Sequence, residues 1–361
     1  MDKTIKKIKL QDIGYGDFFE DNRNSTVDNN LTPARIIAEH KGLYILRNET
    51  SELSAKITGK MMFTASSIED YPAVGDWVLI TIVDVGQVII RELLPRKTVL
   101  IRKSAGKSDT QIIASNIDIA FIIQSPDRDY NLNRFERYLS LAESGNIKPV
   151  IVLNKTDLIS ASDIEIKLDE LKTRFKNTDI YTTSTVTGKG IVDFKKNIKP
   201  GVTYCFIGSS GVGKSSIINM LISENLIKTG EISSYTNRGK HITTHRELFV
   251  LESGGLLIDN PGMREIGVVD SEAGIKNVFS EFHDLSKKCK FSNCTHMNEP
   301  NCAILEAINS GTLDKDKYDN YINLLKENEY NTLTKLEKRE KDRKFGKFIK
   351  TAKKQIKKYK F

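Results

Sequence analysis

The sequence predicts a multidomain chain: an N-terminal OB-fold-like β-barrel, a central α/β phosphate-loop domain and a C-terminal helical zinc-binding domain. Three observations carry this expectation. Short β-prone runs broken by Gly, Asp or Asn fill the first 100 residues. After residue 111, near-continuous apolar runs alternate with helix-periodic segments, the pattern of a parallel sheet covered by helices. Beyond residue 275 the sheet pattern stops, and three of the four cysteines crowd together.

A chain of 361 residues has room for two or three domains. Hydrophobic residues at 39% and charged residues at 28% exclude a disordered chain. The longest apolar runs, such as "IDIAFII" and "PVIVL", are too short to span a bilayer. The opening "MDKTIKKIKLQDIGYGDFFED" lacks the apolar core of a signal peptide. A cytoplasmic monomer with no membrane association is expected. The residues from 335 to 361 hold thirteen Lys or Arg and three Asp or Glu, a net +10 within a chain of net +8. A basic end on a nearly neutral body suits a polyanion such as nucleic acid, or else a solubilising helix face.

In the barrel, expected over residues 1–98, "ARIIAEHKGLYILRN", "ELSAKIT", "DWVLITIVD" and "GQVIIREL" read as strands. The run "YPAVGDWVLI" starts its strand after a Gly-Asp turn. A five-stranded oligonucleotide-binding barrel fits this length, as would another small β-barrel. The first 30 residues read as loosely structured, and residues 96–111 as a linker or loop. In the central domain, expected over 99–274, "NIDIAFIIQS", "KPVIVL", "TDIYTTST" and "GVTYCFIGSS" are strands. Between them, "NLNRFERYLSLAESG", "SDIEIKLDELKTRFKN" and "GIVDFKKNI" are helices. The run "HRELFVLESGGLLIDNPG" reads as two strands joined by a turn at Ser253–Gly255. The remainder, 275–361, reads as helices around the cysteines, followed by the basic tail.

"GSSGVGKSS" fills G-x-x-x-x-G-K-[ST] with Gly208, Gly213, Lys214 and Ser215, between a strand and a helix. Glycines, Gly211 among them, let backbone N–H groups curl around phosphate oxygens. The helix start, which includes Ser216, adds partial positive charge. Lys214 would reach the β and γ phosphates, and the Ser215 hydroxyl would meet Mg²⁺.

"NKTD", Asn154 to Asp157, follows the buried strand "KPVIVL". A carboxylate such as Asp157 can accept from both the ring N–H and the exocyclic amine of guanine, a donor pair adenine lacks. Asn154 would bridge loops and touch the base edge, and the stem of Lys155 would cover the ring face. Ser184, at the end of the strand in "TTSTVTGKG", is placed for a further contact to the base. The base-reading half precedes the phosphate half, an order that an open α/β sheet allows because loops from several strands form the site. GTP or GDP is therefore the expected ligand.

Asp259, after the strand "LLID", stands where a phosphate-loop enzyme keeps its Mg²⁺ carboxylate, and Gly262 where an N–H meets the γ phosphate. The polar stretch "SYTNRGKHITTHRE" is a candidate switch in which Thr243 or Thr244 adds a hydroxyl to Mg²⁺. Met263 follows Gly262 and cannot orient a water. His241 or His245 in the polar loop, a neighbouring backbone group or a partner would then help, and slow intrinsic hydrolysis is expected. Finally, "CKFSNCTHMNEPNC" supplies Cys289, Cys294, His296 and Cys302. Three thiolates and an imidazole form the soft tetrahedral set of a closed, structural Zn²⁺ site.

The order of NKTD, TTS, GSSGVGKSS, a threonine-bearing loop and DNPG, flanked by a barrel and a cysteine module, resembles the circularly permuted small-ribosomal-subunit-dependent GTPases (ribosome small subunit GTPase A). "PAVGDWV", "NLNRFERYL" and "RGKHITT" add to the likeness, which covers nearly the whole chain. Asn260 departs from the commoner D-T-P-G form, and Ile242 stands where the family often has threonine. The resemblance implies GTP hydrolysis stimulated by the small ribosomal subunit late in its maturation. It also implies that the barrel and zinc module contact ribosomal RNA, and that a hydrophobic residue replaces a catalytic glutamine, as Met263 does. The alternative is a nucleotide-regulated rRNA-binding module in which binding rather than turnover matters.

Overall fold

The computed structural model describes residues 8–24, 31–40, 42–84, 87–103, 110–127, 130–223, 246–259 and 272–333, with isolated positions up to 349. Helix α1 (Asp17–Asn24) follows a 3₁₀ turn at Leu10–Ile13. The expectation that the first 30 residues are loosely structured is corrected for residues 8–24, while 1–7 and 25–30 lie outside the described residues. Ile13, Tyr15 and Phe19 are buried, and the rings of Tyr15 and Phe19 lie 4.7 and 5.8 Å from that of Trp77. Three spaced apolar anchors are enough to dock a segment whose flanks are polar.

The barrel strands are β1 (Thr32–His40), β2 (Leu43–Arg47) and β3 (Glu52–Ile57), then helix α2 (Gly59–Thr64), β4 (Trp77–Asp84) and β5 (Gln87–Leu93). Strand β3 alternates buried Leu53 and Ala55 with exposed Glu52, Ser54 and Lys56, one face in and one out. Strand order is β1-β2-β3-β5-β4, and β4 returns to pair with β1. The sheet is thus a closed five-stranded barrel of the OB type, with β3 and β5 parallel.

The stretch expected to be a linker is instead an antiparallel pair, β6 (Val99–Lys103) and β7 (Thr110–Ser115). Its apolar ends, Leu100 and Ile112 to Ala114, are buried, and the polar run at 104–109 that dominates the sequence impression lies outside the described residues.

The central sheet is built from β8 (Ile119–Gln124), α3 (Leu132–Ser144), β9 (Lys148–Leu153), α4 (Ala161–Arg174), β10 (Asp179–Thr182), α5 (Ile191–Lys196), β11 (Thr203–Ile207), α6 (Lys214–Ser223), β12 (Glu247–Val250) and β13 (Leu256–Asp259). Strand order is β10-β9-β8-β11-β13-β12, parallel except for the β12–β13 hairpin. The strand that precedes the phosphate loop lies at the centre, while the chain enters this sheet at its neighbour β8. That is a permuted connectivity. Strand β12 also pairs with β1 of the barrel, Ala38 opposite Glu247, so barrel and core share one sheet.

The C-terminal part holds α7 (Glu272–Val278), α8 (Ser280–Ser286), α9 (Ala303–Asn309) and α10 (Lys315–Thr332). Phe279, Phe282, Ile304, Tyr321 and Cys302 make its small core. The division expected between 274 and 275 falls inside α7. The tail beyond 333 lies almost entirely outside the described residues.

Candidate nucleotide and metal sites

Strand register brings the carboxyl ends of the parallel strands to one edge. Thr182 lies opposite Leu153, Gln124 opposite Leu153, Ile122 opposite Ile207, and Cys205 opposite Ile258. The loops that follow carry Ser184, Asn154 and Gly208, and Asp259 closes its own strand, so residues far apart in sequence share the edge where open α/β sheets bind ligands.

The phosphate loop is pressed between two neighbours. At Gly208 (φ 154°) a Cβ would sit 2.3 Å from the Ile123 carbonyl oxygen of β8. At Gly213 (φ 97°) it would sit 2.2 Å from Asn154 Nδ2. Only glycine permits that closeness and that backbone. Gly211 is also left-handed, at φ 85°. Lys214 Nζ donates to the carbonyls of Gly208, at 2.6 Å, and Ser209. Ser215 and Ser216 are exposed on the first turn of α6.

Asn154 is fully buried and ties three loops together. Its backbone N–H donates to the Gln124 carbonyl at 2.9 Å. Its Nδ2 donates to Val212 O in the phosphate loop at 2.9 Å, and its Oδ1 accepts from Thr183 Oγ1 at 3.0 Å. Lys155 takes a left-handed backbone (φ 62°) that swings the chain into the turn Thr156–Leu158. Asp157 is exposed, and its Oδ1 accepts from the Ser184 hydroxyl. That hydroxyl also accepts from the amides of Val186 (3.3 Å) and Thr187 (3.1 Å). Ser184, read from sequence as a contact to the base, here steadies the carboxylate. Thr183 and Gln124 escaped sequence reading. The available signal was a polar residue at the carboxyl end of a strand: Gln124 closes the apolar run "IAFIIQ", and Thr183 directly follows "DIYT".

Asp259 ends β13, the strand beside β11, and so stands next to the phosphate loop. His241, Thr243, Thr244, His245, Asn260, Gly262 and Met263 lie outside the described residues.

Cys289, Cys294, His296 and Cys302 converge, with their ligand atoms all within 4.8 Å of one another. Cys289 and Cys302 Sγ are 3.9 Å apart, and His296 Nδ1 lies 3.6 and 3.5 Å from them. A tetrahedral Zn²⁺ with Zn–S of about 2.3 Å and Zn–N of about 2.0–2.1 Å places its ligands about 3.8 Å (S to S) and about 3.6 Å (S to N) apart. The donor set fits that ion in both chemistry and spacing. Removal from water pushes the Cys294 thiol up to about 12, aided by hydrogen bonds to the Cys302 and Cys289 thiols. Burial pushes the His296 imidazole down, toward the neutral form that ligates metal, whereas the raised Cys294 thiol would have to lose its proton to bind an ion. Outer contacts hold the loop. Tyr318 donates its hydroxyl to the His296 carbonyl at 2.7 Å. The Thr295 hydroxyl and amide, with the amide of Asn298, hold the Glu299 carboxyl down at about 2.

The RsgA GTPase family model matches residues 93–269, and a second model, for a 50S ribosome-binding GTPase, matches 203–336. A small ribosomal subunit biogenesis GTPase RsgA 1 from Oceanobacillus iheyensis is 40% identical over 297 residues, 81% of this chain and 84% of that one. The chain belongs to the RsgA family of circularly permuted GTPases. The crystal structure of YjeQ from Thermotoga maritima superposes with a TM-score of 0.62 at 26% identity, covering 82% of this chain and 98% of that one. YloQ, described as a circularly permuted GTPase, gives 0.60 at 26% identity, covering 85% and 98%. Like other RsgA GTPases, the chain is a GTP-hydrolysing enzyme. The second family match starts at Thr203, the first residue of β11, where the phosphate half of the permuted domain begins. No described helix is long and apolar enough to cross a membrane.

Proposed function

We propose that this RsgA-family chain uses GTP turnover as a late checkpoint in small-ribosomal-subunit assembly. GTP would lie along the strand edge, its base read by Asp157 and Asn154 and covered by the Lys155 stem. Its phosphates would be wrapped by Gly208 to Ser216 and met by Lys214. Ser215 and Asp259, joined by Thr243 or Thr244, would hold Mg²⁺, which supplies charge neutralisation at the phosphates. Gly262 would report the γ phosphate, and His241 is a candidate to position water. Cys289, Cys294, His296 and Cys302 would hold one structural Zn²⁺. The barrel, the zinc module and the basic tail would contact ribosomal RNA, with binding that weakens steeply as salt rises. The barrel would then occupy residues 1–98, the GTPase core 99–274 and the zinc module 275–361, with helix α7 (Glu272–Val278) running across the second boundary.

The observation that carries this reading is Asn154. A buried side chain that ties the base-reading loop to the phosphate loop has a purpose when one ligand spans both. The test is GTP turnover with and without isolated small subunits. Strong stimulation is expected. No stimulation at saturating subunit would favour the alternative, a nucleotide-regulated rRNA-binding module, for which Met263 in place of a polar residue speaks.

A further inference from the structure

Helix α3 meets the phosphate loop and, through Gln124, the guanine loop on one side, and the C-terminal module on the other. Its N-cap residue, Asn131, donates its N–H to Gln124 Oε1 at 2.9 Å, and its carbonyl accepts from Gln124 Nε2 at 3.0 Å. The Gln124 carbonyl in turn accepts the Asn154 N–H at 2.9 Å. Two turns along, the Tyr138 hydroxyl lies 3.4 Å from Ser209 Oγ of the phosphate loop.

The opposite side of α3 carries an ionic joint. Arg174, the last residue of α4, donates to Glu136 Oε1 at 2.7 Å, Asn133 Oδ1 at 3.0 Å and Asp314 Oδ2 at 3.1 Å. Asp314 is the N-cap of α10. Asn320 of α10 donates to the other Glu136 oxygen and to the Asn133 carbonyl. Arg137 reaches Glu327 at 2.7 Å. Helix α7 also lies hard against α3, since a Cβ on Gly274 would be 2.2 Å from Ser140 O.

The energetics make this joint cooperative. Glu136 is fully buried and the Arg174 side chain is 7% exposed. Removing one partner of such a pair strands the other as an uncompensated charge, so the joint does not loosen gradually. Asn133 and Glu136 sit on the first two turns of α3, whose N-cap is bonded to Gln124 and, through the Gln124 carbonyl, to the guanine loop. The path from the C-terminal module to the guanine loop is a continuous chain of side-chain and backbone hydrogen bonds.

We propose that α3 couples docking of the C-terminal module to the guanine loop, with Gln124 and Arg174 as positioning residues on its two sides, so that nucleotide and module stabilise each other's placement. The proposal rests on Asn154 serving the nucleotide.

The test uses the full chain and a fluorescent GDP analogue. Dissociation is timed for the wild type, Gln124→Ala, Arg174→Ala and the double variant. Each single change should speed release about fivefold or more, and the double variant should add little, because both break one path. Unchanged singles, or effects that multiply in the double variant, overturn the proposal. Should a variant fail to fold, hydrogen exchange in the wild type decides. GDP should slow exchange of the amides of Lys315 to Asn320, since coupling is reciprocal. Bound GDP with no change there overturns the coupling alone, whereas absence of GDP binding overturns the guanine reading and the coupling with it.

Discussion

The nucleotide edge and the cysteine loop are both short polar segments, yet different physics holds each in place. The nucleotide loops are braced by the protein itself: strand ends in register, glycines against neighbouring backbone, and Asn154 bonded to three separate segments. The cysteine loop, Cys289 to Cys302, has little apolar material of its own. Phe291 and Met297 are exposed, while Cys302 and His296 are its buried residues. Among the described residues, the nucleotide loops are held by bonds within the protein, whereas the cysteine loop is expected to depend on the ion that its four ligands would hold.

The largest effect should come from the metal. Chelation, or Cys302→Ser, should unfold the loop around residues 289–302, since structural Zn²⁺ contributes about 10–16 kcal/mol in small modules. Exchange measurements should show the central sheet intact. Melting of the central sheet together with the loop would erase the contrast between the two regions. Next, Asp157→Asn should weaken GTP about 100-fold or more, because a carbonyl and an amide cannot accept both guanine donors, and should admit xanthine nucleotides. Unchanged GTP affinity in a binding titration would remove Asp157 from the base site. Third, Gly213→Ala should cost about 2–3 kcal/mol in unfolding experiments, combining left-handed strain with a Cβ against Asn154. A neutral result would mean that the two loops are not braced as described. The smallest effect is expected of Thr183→Val, which leaves Asn154 Oδ1 short of a donor. That should cost about 1–2 kcal/mol in denaturant unfolding, with nucleotide affinity falling alongside.

Much of this was legible in the sequence because the signals are local. The phosphate loop, the base-loop tetrad and the cysteine cluster are each carried by fewer than fifteen consecutive residues, and their strands and helices by short-range periodicity. The barrel strands were legible too, through breaks at Gly and Asp. The N-terminal segment and the β6–β7 hairpin were misjudged for a shared reason. Their polar residues outnumber a few apolar anchors, and only the partner surface, Trp77 in one case and the opposite strand in the other, reveals what those anchors do.

The sequence by itself determined the chemistry of each loop and, through the order of the motifs, the permuted connectivity. Glycine positions, a carboxylate after a buried strand and three thiols beside an imidazole restrict what the backbone and side chains can do wherever they end up. The tertiary structure alone decided which loops meet. Asn154 finds Val212 across 58 residues, and Glu136 finds Asn320 across 184. It also decided that Ser184 braces Asp157, that β12 joins the barrel to the core, and that α3 stands between nucleotide and module. Such pairings depend on register and packing summed over the whole chain, and no local propensity encodes a partner that far away.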